Sequence, residues 1–150
     1  MKPLIVLVGV FVVALIVLKI FYGGYDYAFA GRIAMSAMLV FTAMGHFAFT
    51  NGMAMMLPPL VPYKKVMVYL TGVLEIAAAI GLLVSNYHVL IGYFLMGFFI
   101  LLLPANIYAA INRVDHEKGS MDGKGVGYLG FRVPLQLLFI GWVYVCAILN

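Results

Sequence analysis

Charge is scarce in this sequence. Only 9% of its 150 residues are Asp, Glu, Lys or Arg, whereas 66% are hydrophobic and the mean hydropathy is +1.13. Soluble domains are nearer a quarter charged, so a water-solvated core cannot absorb this chain and lipid is the expected solvent. Cysteine is almost absent as well. The single Cys146 excludes an intramolecular disulfide and a Cys-x-x-Cys redox pair. Clustered positive charge is also missing: the nine basic residues behind the net charge of +4 are scattered, with Lys64-Lys65 the densest group. That pattern excludes a nucleic-acid-binding face and suits residues that flank membrane spans. The only polar stretch of any length is Asn112 to Gly127, which mixes both charge signs with four glycines and reads as a solvated loop.

What is present is a series of apolar runs of spanning length, each needing roughly 20 residues to cross a hydrocarbon core about 30 Å thick. They predict five transmembrane helices over Pro3 to Ile20, Ala28 to Phe49, Val66 to Val84, His88 to Ala110 and Tyr128 to Leu149. The first run, after Lys2 and with Ala28-Phe29-Ala30 downstream, has the outline of a signal peptide. Its length, Lys19 and the aromatic stretch from Phe21 to Tyr27 favour a retained first helix with an interfacial aromatic end. The expected units are an N-terminal transmembrane helix, 1–24, and a four-helix membrane domain, 28–149. Placing the N-terminus in the cytoplasm puts Lys2, Lys64, Lys65, Arg113, Lys118 and Lys124 on that side and only Lys19 and Arg32 opposite. The segment Gly52 to Pro62, GMAMMLPPLVP, cannot continue a helix through its three prolines and is too short to span. It reads as a cytoplasmic-side hairpin or partly re-entrant plug shielded by protein.

Polar groups within spans carry most of the functional information, since an ionisable side chain at the bilayer centre costs roughly 2.5 kcal/mol or more. With a rise of about 1.5 Å per residue, Glu75 lies about 15 Å in from the cytoplasmic end of its span, Gln136 about 12 Å and Asn106 about 10 Å. Arg132 and His46 lie about 5 to 6 Å in. Convergence of these five from four spans predicts one polar pocket, with Arg132 reaching up to Glu75 and neutralising it. His46 and Asn106 line the space beneath, and the Met53 to Pro62 hairpin forms the floor. Two readings of this pocket stand side by side: interhelical glue worth about 0.6 kcal/mol per hydrogen bond, or a ligand or proton site.

Other features have plainer readings. Arg32 reads as a snorkelling interfacial residue and His88 as solvated. Met35, Met38, Met44, Met53, Met55 and Met56 with His46 have the softness for Cu(I), but Met in an apolar chain is foremost packing material, and no metal site is assigned. Gly72, Gly81, Gly92 and Gly97 read as positions of close helix approach.

The stretches GHFAFTNGMAMMLPPLVPY (Gly45 to Tyr63), YLTGVLEIAAAIGLL (Tyr69 to Leu83), LPANIYAAINR (Leu103 to Arg113) and FRVPLQLLFIGWVY (Phe131 to Tyr144) resemble the DoxX-like family of small bacterial membrane proteins. The resemblance covers Ala30 to Tyr144. It is carried by His46, Pro58, Pro59, Pro62, Glu75, Pro104, Asn106, Arg132, Pro134 and Gln136. It implies an all-α fold, a DoxX-type four-helix transmembrane bundle preceded here by one extra N-terminal helix, in the bacterial inner membrane. It also implies association with quinone-dependent oxidation, membrane oxidoreductase complexes or chaperoning. A thiol-redox role is in doubt because paired cysteines are absent.

The leading expectation is a lipophilic ligand, a quinone, with Glu75 and Arg132 at the polar end of its pocket and His46 or Asn106 hydrogen-bonding it. No haem, flavin or iron-sulfur signature is present in the sequence, so a redox role implies a redox partner protein and the chain is not read as an enzyme on its own. No catalytic residue is assigned. The alternatives are a non-enzymatic assembly or chaperone-type protein with a client membrane protein, and a small proton-coupled transporter using Glu75, for which no inverted repeat is evident.

Overall fold

A computed structural model of the chain describes residues 2–149. Met1, with which the first expected unit begins, lies outside the described residues. Runs of Leu, Ile, Val, Ala and Phe that satisfy every backbone group internally favour helix, and six α-helices result: α1 (Lys2–Tyr22), α2 (Tyr27–Ala48), α3 (Thr50–Met55), α4 (Lys64–Leu83), α5 (His88–Ile111) and α6 (Leu129–Val143). A 3-10 turn, Val126–Tyr128, leads into α6 and a π-helical turn, Tyr144–Ile148, ends it. Among the described residues there is no strand, only an isolated bridge between Asp115 and Ser120. Five helices are long and apolar enough to cross a membrane: Lys2–Tyr22, Tyr27–Ala48, Lys64–Leu83, His88–Ile111 and Val126–Ile148. Each agrees with an expected span to within two residues at either end.

Helix boundaries follow local chemistry. Asp26 caps α2 by accepting from the Phe29 N–H at 2.8 Å. Pro104 and Pro134 lie within α5 and α6, where each removes one ladder hydrogen bond. The expectation that Gly52 to Pro62 is non-helical holds only from Met56 onward. Gly52 to Met55 belong to α3, because the prolines begin at Pro58 and leave one turn free to form. The chain after it is compact, with Lys64 Nζ donating to the Leu57 carbonyl at 2.8 Å.

α2 is the central helix, packed on α1 and most extensively on α4. The core runs through Leu7 of α1, Met35 and Leu39 of α2, Leu82 of α4, Leu95 of α5 and Val143 of α6. Trp142 ties three helices together: its Nε1–H donates to the Gly31 carbonyl at 3.1 Å, and its ring meets Phe11 edge-on at 4.9 Å. His88 is not simply solvated; Nδ1 donates at 2.8 Å to the Ala147 carbonyl in the π-turn. Arg32 is half-buried, 5.5 Å above the Phe29 ring, with Nε unpaired.

Two glycines set distances that matter below. A Cβ on Gly72 would lie 2.9 Å from the His46 Cβ, so α4 meets α2 closely where His46 projects. A Cβ on Gly52 would lie 2.0 Å from the His116 carbonyl oxygen, so α3 and the loop 112–127 are in backbone contact. Gly97, by contrast, has open space around it and serves no close approach.

Because that backbone cannot yield as a flexible side chain would, Gly52→Ala is expected to cost about 1–3 kcal/mol. Thermal unfolding in detergent should show a lowered midpoint. Limited proteolysis should show earlier cleavage within residues 112–127, whereas Gly97→Ala, in a helix with open space around it, should neither lower the midpoint nor hasten that cleavage.

Candidate functional site

At the end of the bundle where α1 starts lies a cavity of about 450 Å³, within the range of small-molecule sites. His46, Glu75, Asn106, Arg132 and Gln136, the five residues singled out by depth, all line it. They come from α2, α4, α5 and α6. Most of the wall is apolar, including Met38, Phe41, Phe99, Leu102, Leu135 and Phe139. Met53 of α3, with Met56 and Leu57 just after it, closes part of the floor, and Lys2, His116 and Glu117 stand at the same end.

The polar groups form two separate networks. In the first, Glu75 is 4% exposed and faces α2. Its Oε1 lies 3.4 Å from His46 Nε2, and its Oε2 accepts from the Thr42 hydroxyl at 2.9 Å. On the other edge of the imidazole, Nδ1 lies 3.1 Å from the Val68 carbonyl and 3.0 Å from Thr71 Oγ1. The imidazole is thus anchored on α4 by its Nδ1 edge and presents Nε2 to the Glu75 carboxyl.

In the second network Arg132 donates through an NH1 hydrogen to Asn106 Oδ1 at 2.9 Å, and Asn106 Nδ2 donates to Gln136 Oε1 at 3.0 Å. Gln136 Nε2 donates in turn to the Phe99 carbonyl. The Arg132 guanidinium also lies 5.3 Å from the centre of the Tyr128 ring. The expected Arg132–Glu75 ion pair is not formed. Glu75 projects from mid-α4 toward α2 and meets His46 and Thr42 there, while Arg132, one turn into α6, turns to Asn106 and Tyr128.

Residues 35–147 match the family model described as a domain of unknown function (DUF8561). The chain belongs to that family. The match runs from α2 into the π-turn, takes in all five pocket residues and leaves α1 outside it. No curated protein and no solved structure matches the chain.

Several groups of this DUF8561 site escaped the sequence reading. Thr42 precedes His46 by four residues and Thr71 precedes Glu75 by four, the spacing that puts two side chains on one helix face; that pattern could have found them. Lys2, His116 and Glu117 carry no such signal, because only the folded loop brings them to the cavity. There Lys2 Nζ pairs with Glu117 Oε1 at 2.8 Å and holds that exposed carboxyl below its ordinary value. The methionine cluster divides: Met38, Met44, Met53 and Met56 line the cavity and Met35 is buried in the core. Among the described residues no group of three His, Cys, Asp or Glu side chains is arranged to hold a metal ion.

Burial pushes the His116 imidazole below its ordinary value of 6.5, and the Arg132 charge pushes it further, against smaller opposing pulls from Glu117 and Asp115. The docked loop therefore binds fewer protons than the undocked loop. Its docking strengthens as pH rises toward 6.5 and weakens as pH falls below it. Hydrogen exchange at residues 114–118, corrected for intrinsic rate, is expected to be faster near pH 5.5 than near pH 7.5. The Glu117 carboxyl stays ionised over that interval, and His116→Gln should flatten the difference.

Proposed function

We propose that this protein is a multi-pass protein of the bacterial inner membrane that binds a lipophilic small molecule bearing a polar head. A quinone is the member of that class implied by the DoxX-like resemblance, with a redox protein as partner. In this reading the N-terminus is cytoplasmic, α1 is an extra helix, and α2, α4, α5 and α6 form the DoxX-type bundle. The observation that carries it is one apolar cavity holding convergent hydrogen-bonding groups from four helices. A lipophile entering from the bilayer would place its tail on the Phe and Met walls. Its carbonyl or hydroxyl groups would meet His46 or the amides of Asn106 and Gln136. Such a site can hold and orient a ligand. Electron transfer belongs to the partner.

The completeness of the His46–Glu75–Thr42 network favours a second reading, in which the polar groups only lock α2 to α4. The chain would then be a non-enzymatic assembly or chaperone-type protein.

Native mass spectrometry of the detergent-extracted protein separates the two. The ligand reading predicts a retained lipophile on the wild type, or uptake of added quinone or lipid. It predicts loss of both in Ala105→Phe, which fills the cavity, and at least about tenfold weaker retention in Asn106→Leu, the scale of one lost hydrogen bond to a charged or buried group. A protein that emerges empty and takes up neither quinone nor lipid overturns it. So does Glu75→Gln lowering stability with retention unchanged alongside unchanged Asn106→Leu. Tight co-purification with another polypeptide favours the assembly reading.

A further inference from the structure

Of the two lysine and arginine cations that line the cavity, Lys2 and Arg132, one has no carboxylate partner among the described residues. Glu117 is paired with Lys2 at 2.8 Å, and Glu75 with His46 at 3.4 Å. Among the described residues Arg132 has no ion-pair partner, and its one side-chain hydrogen bond goes to the neutral Asn106. A guanidinium carries more N–H donors than one amide oxygen can accept, so donors remain. Arg132 is half-buried and lines the cavity. Its charge is also one of the causes that push the neighbouring His116 below its ordinary value. Beyond Arg132 the wall turns apolar: Phe139, seven residues on and two helical turns deeper along α6, lines the cavity with Met38 and Phe99, and all three are buried.

We infer that the natural occupant is an acidic single-chain amphiphile whose carboxylate or phosphate head pairs with Arg132 at the mouth and whose hydrocarbon tail lies between Met38, Phe99 and Phe139. This rests on the ligand-binding reading above and narrows its ligand class. A neutral head leaves the Arg132 charge unanswered in a partly desolvated site, whereas an oxyanion meets the guanidinium with short, charge-assisted hydrogen bonds. Asn106 is a positioning residue for this contact: its Oδ1 holds the guanidinium and its Nδ2 is anchored on Gln136. The two sources of an acidic head, a free fatty acid and a phosphate-bearing lipid fragment, share this chemistry and differ in oxyanion.

The test is calorimetric titration of the purified full chain in a neutral detergent with dodecanoate, dodecyl phosphate, dodecanol and a short-tailed benzoquinone. The expected result is that at least one acid binds about tenfold or more tighter than dodecanol, the tighter acid naming the source. Arg132→Gln should abolish that preference while leaving dodecanol affinity unchanged, and Arg132→Lys should retain part of it. If Arg132→Gln does not fold, Asn106→Ala and the loss of preference with added salt take its place. Equal binding of acid and alcohol, or a preference that survives Arg132→Gln, overturns the inference. Tighter binding of the neutral benzoquinone also overturns it but leaves the ligand-binding reading standing. Failure of all four probes to bind removes both.

Discussion

A carboxyl group in the middle of an apolar helix must be neutralised and fully hydrogen-bonded, or the helix does not stay among its neighbours. Glu75 finds its partners on α2: His46 Nε2 faces one carboxyl oxygen, the Thr42 hydroxyl donates to the other, and Gly72 lets the two helices come close enough for both. The contact fixes the α2–α4 pair that forms one side of the cavity. Nothing comparable closes the opposite side, where Arg132, Asn106 and Gln136 hold one another and the Phe99 carbonyl in a chain. The space between the two networks is the cavity, bounded on one side by the His46–Glu75 pair and on the other by Arg132.

Much of this was legible in the sequence. Spans follow from apolar length alone, and the depth of a polar residue follows from its distance to the span end, so the meeting of five residues in one pocket could be read before any packing was known. Pairing could not. Depth says that Glu75 and Arg132 share a leaflet but not which way each helix is turned, and α4 is turned so that Glu75 faces Thr42 and His46. The single helical turn of α3 was hidden because its prolines come only after it. His88 was read from its place at a span end, which carries no information about the carbonyl that the π-turn presents to it.

The loop 112–127 shows the other limit. Its composition reads as solvent-exposed, and much of it is, yet His116 and Glu117 reach the cavity because the loop lies against Gly52 on one side and meets Lys2 through an ion pair on the other. Contacts between residues so far apart in sequence leave no local pattern. α1, plain in sequence, thereby contributes a charge to the rim as well as Leu7 to the core.

The account rests on the claim that this cavity is a place for a ligand rather than a gap between helices. A high-resolution density map of the protein purified in native lipid discs tests that most directly. The account predicts elongated density inside the cavity, with its polar end within hydrogen-bonding distance of His46, Asn106 or Arg132 and its tail against Phe99 and Phe139. A cavity that has closed by helix approach, or one holding ordered water alone, would contradict it.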